Sequence, residues 1–127
     1  MIPNQSIILL ALVALGSPMN CDGDCQSCDP ESLVSEGPSG TDSFEVKINN
    51  VTSVDGCSVV NLECRRGDST CATLSLYGIA ENGTALKIDS AEMTGVFYPS
   101  MTCNQDTKWS SQGVSFTKIY CLPELCL

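Results

Sequence analysis

Nine cysteines and no histidine set the chemistry open to this 127-residue chain. The cysteines are Cys21, Cys25, Cys28, Cys57, Cys64, Cys71, Cys103, Cys121 and Cys126, and the densest stretch, residues 21–30 (CDGDCQSCDP), sets three of them among three aspartates. Redox catalysis, metal binding and disulfide cross-linking all use such residues. A redox Cys-x-x-Cys at Cys25 and Cys28 needs a lowered thiol pKa, from a helix N-terminus or a nearby cation. Pro30 instead holds Asp29 extended, and the surrounding negative charge raises a thiol pKa. Structural zinc sites combine two cysteine pairs, or one pair with histidines, and neither pattern is present. A calcium loop counted from Asp22 fits at its third position, Asp24. It then meets Gln26 at the fifth, Ser27 at the sixth, where glycine is required, and Leu33 at the twelfth, where glutamate is required. Disulfide anchoring is the reading left, with no metal and no cofactor.

Catalysis finds no better footing. Without histidine the usual general base is gone, and with it most serine and cysteine triads. There is no G-x-S-x-G elbow and no glycine-rich phosphate loop. No catalytic or cofactor-binding residue is assigned, and the expectation is a non-enzymatic protein. Arg66-Gly67-Asp68 is an integrin-type triplet, but glycine and aspartate are also what a turn selects. Trp109, the sole tryptophan, reads as a core residue.

Fifteen acidic residues against six basic give a net charge of −9. Asp22, Asp24, Asp29, Glu31, Glu36 and Asp42 all precede the first basic residue, Lys47. Phosphate recognition needs clustered lysine and arginine, so nucleic acid is excluded as a partner and anionic membranes are disfavoured. The acidity serves solubility. Residues 7–15 (IILLALVAL) form an apolar run after a short polar start, with Ala14-Leu15-Gly16 at cleavage-like spacing. Residues 1–16 read as a secretory signal peptide, because the run is far shorter than the ~20 residues that span a bilayer. A released protein starting near Ser17, without a stable membrane anchor, is expected. In an oxidising compartment its cysteines pair. An odd count leaves one thiol over, free or bridging to a second chain as a disulfide-linked dimer. The pairings open to sequence alone number about 945.

Residues 31–42 (ESLVSEGPSGTD) show no period and read as a linker, closing an acidic, cysteine-rich segment at 17–42. Alternation starts at 43–49, where Phe44, Val46 and Ile48 share a face opposite Glu45 and Lys47. Asp55-Gly56 marks a turn into residues 57–64, with Val60, Leu62 and Cys64 on one face. Cys57 and Cys64 differ by an odd number, so they face opposite sides of a regular strand and do not pair with each other. Residues 71–77 alternate again, with Ala72, Leu74 and Leu76 inward. Asn82-Gly83 is a hairpin signature, followed by Leu86 and Ile88 on one face. Residues 93–98 form a further apolar strand, ended by Pro99. Residues 114–121 close the pattern, with a parity change that a bulge near Thr117 and Lys118 would explain. These strands predict an all-β, disulfide-rich antiparallel sandwich or barrel over 43–127. The sequons Asn50-Val51-Thr52 and Asn82-Gly83-Thr84 are candidate glycosylation sites; a third, at Asn4, would leave with the signal peptide.

The chain resembles the nematode family of secreted six-cysteine domains of unknown function. The resemblance rests on Cys25-Gln-Ser-Cys28-Asp-Pro, Asp55-Gly-Cys57 with Cys64 seven residues on, Thr102-Cys103-Asn104, Trp109 and residues 114–121. It frames the cysteines from 25 to 121. In that family the first and third cysteines are lost together, which implies that they pair. Carried onto this chain, the pair is Cys25 and Cys57. Cys21, Cys71 and Cys126 are extra to the pattern, and Cys21 is the candidate odd thiol. The resemblance implies no activity. The resulting expectation is a secreted domain that binds an extracellular protein or glycan, or serves a structural role; a protease inhibitor or defence-type effector is the alternative.

Overall fold

The structure, a computed structural model, describes residues 24–127. The signal-peptide reading, Asn4 and Cys21 therefore lie outside the described residues. Nine strands follow in chain order: β1 (Val34–Ser35), β2 (Lys47–Val54), β3 (Cys57–Arg65), β4 (Cys71–Ala80), β5 (Ala85–Thr94), β6 (Val96–Phe97), β7 (Ser100–Cys103), β8 (Trp109–Ser111) and β9 (Val114–Cys126). The only helical element among the described residues is one 3₁₀ turn, Pro30–Ser32.

The strands hydrogen-bond in the order β2-β3-β7-β8-β9-β4-β5, with β1 added to β9 in parallel and β6 added to β3 antiparallel. β9 makes this sheet into a sandwich-like body. Its first two residues, Val114 and Ser115, pair with β8, whereas Phe116 to Cys126 pair with β4. β2, β3, β7 and β8 thus form one layer, β9, β4 and β5 the other, and apolar inner faces meet between them. Val60, Leu62, Met101 and Trp109 from the first layer share one cluster with Leu74, Leu76, Phe116 and Ile119 from the second.

Turn chemistry explains the hairpins. Asp55 and Gly56 both have positive φ (53° and 84°) at the β2–β3 turn, and Gln112 and Gly113 repeat this (51° and 83°) at β8–β9. Two left-handed residues in succession match the twist of the flanking strands. Between β4 and β5, Ala80 accepts from the Gly83 amide and donates to the Thr84 carbonyl. A register shift between Phe116 and Lys118 breaks alternation in β9. Phe116 before it, and Ile119 and Cys121 after it, all reach the core despite their mixed parity.

Several sequence expectations shift. The stretch read as a linker is built into the body as far as Glu36, whose amide donates to the Ile119 carbonyl at 3.0 Å. Leu33 is buried, β1 pairs with Lys118 and Ile119, and the Ser35 hydroxyl accepts from the Val46 amide at 2.7 Å. Two residues of parallel strand are too few to show a period. The first strong strand begins at Lys47 and not at 43; Phe44 makes an isolated bridge to Cys121. The segment 93–98 is broken: Met93 has φ 53° and is 73% exposed, β5 closes one residue later at Thr94, and Val96 and Phe97 add to β3 instead. The last strand runs five residues past Cys121, to Cys126, so the cysteine frame extends from 25 to 126.

Candidate interaction face and disulfide frame

Four disulfides join eight cysteines: Cys25–Cys57, Cys28–Cys103, Cys64–Cys121 and Cys71–Cys126. Each has a distinct mechanical role. The first two fasten the 24–35 segment to the start of β3 and the end of β7. Trp109 clamps the same segment, because its buried indole Nε1 donates to the Asp29 carbonyl at 2.9 Å. Cys64–Cys121 crosses between the layers, with both cysteines 0% exposed. Cys71–Cys126 staples β4 to β9, where the two residues are direct register partners. Cys25–Cys57 is the pair the family resemblance implies, and Cys71 and Cys126, extra to that pattern, bridge to each other.

Two aspartates of the opening stretch, Asp24 and Asp29, act as turn formers. Asp24 accepts from the Gln26 amide at 2.7 Å and the Ser27 hydroxyl at 2.9 Å. Asp29 caps the 3₁₀ turn by accepting from the Glu31 amide at 2.9 Å. These bonds hold Cys25 and Cys28 at the angles their distant partners require. No group of three or more histidine, cysteine, aspartate or glutamate side chains among the described residues is arranged to hold a metal.

The most built polar surface lies on the outer face of β3. Glu63 and Arg65, two apart on one strand, point the same way, and Arg65 Nε donates to Glu63 Oε2 at 2.8 Å. Arg65 Nη2 also donates to the Tyr98 hydroxyl at 3.3 Å. Lys47 stands opposite Glu63 in the register. The Arg65 hydrogen bond holds the Glu63 carboxyl below the usual carboxylate range, and Glu63 in turn raises the Arg65 guanidinium. The Glu63 side chain is 12% exposed, against 52% for Arg65. Glu45, Val46 and Lys47 close a shallow groove of about 340 Å³ against this pair, and Tyr98 projects beside it, 61% exposed. Arginine and tyrosine are the residues that dominate binding energy at protein interfaces. Sequence reasoning missed this face, since its members are spread over β2 and the residues before it, β3, and the connection between β6 and β7. A second groove, about 210 Å³, opens between β5 and the β8–β9 turn, lined by Leu86, Ile88, Gln112, Val114 and Phe116.

The remaining sequence candidates are dispersed. Arg66, Gly67 and Asp68 are exposed in the β3–β4 turn, where the Arg66 amide donates to the Gly95 carbonyl at 2.7 Å. Asn82 is exposed at the β4–β5 tip, its Oδ1 accepting from the Thr84 amide. Asn50 is exposed on β2.

Residues 55–109 match a family model described as "Domain of unknown function (DUF281)". No curated protein and no solved structure matches the chain. The matched span contains Cys57, Cys64, Cys71 and Cys103, one member of each bridge, while Cys25, Cys28, Cys121 and Cys126 lie outside it. It also omits β9, the strand joining the two layers. The folded unit is therefore larger than the matched span.

Proposed function

We propose that this protein is a secreted, non-enzymatic disulfide-knit domain that binds an extracellular partner through the outer face of β3. Its carrying observation is the set of four bridges, each spanning more than thirty residues. Bridges of this kind form and persist in oxidising compartments. Among the described residues no helix is long and apolar enough to cross a membrane. The apolar run at 7–15 acts as the export signal, and Asn50 and Asn82 receive N-linked glycans on the way. The DUF281 match, the Cys25–Cys57 bridge and the cysteine frame support membership of the secreted six-cysteine family. Arg65, held by Glu63 on a rigid sheet, and Tyr98, hydrogen-bonded to Arg65, meet the partner with little ordering cost.

The test is expression of the full chain in a secretory eukaryotic host. The protein is expected in the medium, oxidised and glycosylated; a reduced, intracellular product would refute the reading. Chemical cross-linking in extracellular fluid with wild type and with Arg65→Ala/Tyr98→Ala then probes the face. Undiminished capture of the same partner by the double variant would move binding elsewhere.

One observation favours a second reading, protease inhibition. Arg65, Arg66, Gly67 and Asp68 are an exposed basic segment between Cys64 and Cys71, both bridged to β9. A disulfide-held loop of this kind presents a preorganised segment to a trypsin-like site. Stoichiometric inhibition abolished by Arg66→Ala would establish it, and failure across a panel of extracellular serine proteases would dismiss it.

A further inference from the structure

The two ends of the strand order are guarded very differently. β5 carries Lys87, Asp89 and Glu92 along its length. Charges of this kind stop a sheet edge from recruiting another strand. β2, the opposite end, has β3 as its one neighbour among the described residues. After Lys47 it runs through Ile48, Asn49, Asn50, Val51, Thr52, Ser53 and Val54 without a charge or a proline. Val51 and Val54 are exposed large apolar residues. An uncharged edge of that length is a template for edge-to-edge pairing.

What β2 has in place of charge is a sequon, and a bulge presents it. Val46 and Ile48 face the core, so strict alternation would turn Asn50 and Thr52 inward as well. The register shift between Ile48 and Asn50 prevents this. Past it, Val51 stands opposite the buried Val60, while Asn50 and Thr52 pair with Asn61 and Val59 on the outer face. There Asn61 Nδ2 donates to Thr52 Oγ1 at 3.1 Å. One extra residue thus places both defining members of the sequon in solvent, midway along the uncharged edge.

We infer that Asn50 carries an N-linked glycan that covers the β2 edge and keeps the protein from associating through that strand. The sugar's anomeric carbon bonds to the Asn50 side-chain amide nitrogen as its bond to the diphosphate of a lipid-linked oligosaccharide donor breaks; the lipid diphosphate leaves with the electron pair, and the displaced amide proton is released with it. Its sugars, far larger than the side chain, occupy the space a second strand would need. The inference rests on the secretion reading above.

The experiment uses the full chain secreted from a glycosylating host, with glycan occupancy by mass spectrometry and molar mass by light scattering across a concentration series. Asn50→Gln and Thr52→Ala both remove the sequon, the second without touching Asn50. Asn50→Lys removes the glycan but puts a charge on the edge, and Asn82→Gln removes only the glycan at the other tip. Wild type, Asn50→Lys and Asn82→Gln are expected to stay monomeric, while Asn50→Gln and Thr52→Ala at least double in mass as concentration rises, all with one peptide map of disulfides. Should one sequon variant fail to be secreted, the other decides. Monomeric Asn50→Gln or Thr52→Ala, or equal association by Asn82→Gln, would overturn the edge-guard role. Occupancy at Asn82 without Asn50 would overturn the inference but leave secretion standing, whereas a reduced protein with neither glycan would remove both.

Discussion

Cys64–Cys121 and Cys71–Cys126 form a natural pair for separating two contributions of a disulfide. They close spans of 57 and 55 residues. The chain-entropy cost that each lifts from folding is therefore nearly equal, about 4 kcal/mol. They differ in setting. Both sulfurs of the first bridge sit between the layers, with no exposure at either cysteine, whereas Cys126 is partly exposed at the end of β9. Replacing the first pair by alanine removes two buried sulfurs that the packed layers cannot refill. At about 1 kcal/mol each, the loss rises to about 6 kcal/mol. Replacing the second pair costs about 4 kcal/mol, because the strand end can relax over the gap. A domain of this size shifts by about 5 °C per kcal/mol, so Cys71→Ala/Cys126→Ala should lower Tm by about 20 °C and Cys64→Ala/Cys121→Ala by about 30 °C. Trp109, the one tryptophan and buried in the cluster, reports unfolding by fluorescence, with circular dichroism as the second probe. Equal losses, or a larger loss for the 71–126 pair, would refute the assignment of Cys64–Cys121 to the centre of the core.

A Cβ added at Gly78 would lie 2.5 Å from the Phe116 ring and 2.9 Å from Ile88, so Gly78→Ala should cost about 1–3 kcal/mol in urea unfolding. Glu63 has its carboxyl pKa lowered in the folded state, chiefly by Arg65. Its contribution is present above the unfolded carboxylate pKa and lost as pH falls through the lower folded value. Glu63→Gln should accordingly reduce stability at neutral pH and flatten the acid limb of a Tm–pH profile, with wild type and variant converging at low pH. The matched span 55–109 alone, cut off from one member of every bridge, should show no cooperative thermal transition; a cooperative one would show that the span folds without β9 and the 24–35 segment.

Local patterns carried a good part of the fold. Val60, Leu62 and Cys64 alternate because β3 has one face in the core, and Asp55-Gly56 supplies two left-handed residues that few other pairs accept. Even the bulge in β9 left a trace, since Phe116 and Ile119 cannot share a face of a regular strand. Features set by distant contacts left none. β1 is two residues whose partners lie some eighty positions away, and the proposed interaction face joins Lys47 of β2, Glu63 and Arg65 of β3, and Tyr98 beyond β6. Disulfide partners belong to the same class. Parity separates Cys57 from Cys64, but only the strand order brings Cys64 to Cys121 across the layers and Cys71 beside Cys126.

The most direct measurement of the central claim is a non-reducing peptide map of the protein recovered from the medium of a secretory host. It should return Cys25–Cys57, Cys28–Cys103, Cys64–Cys121 and Cys71–Cys126 as the four intrachain bridges. Local pairs such as Cys25–Cys28 or Cys57–Cys64, or a protein found fully reduced, would contradict the disulfide-knit sandwich and the extracellular role built on it.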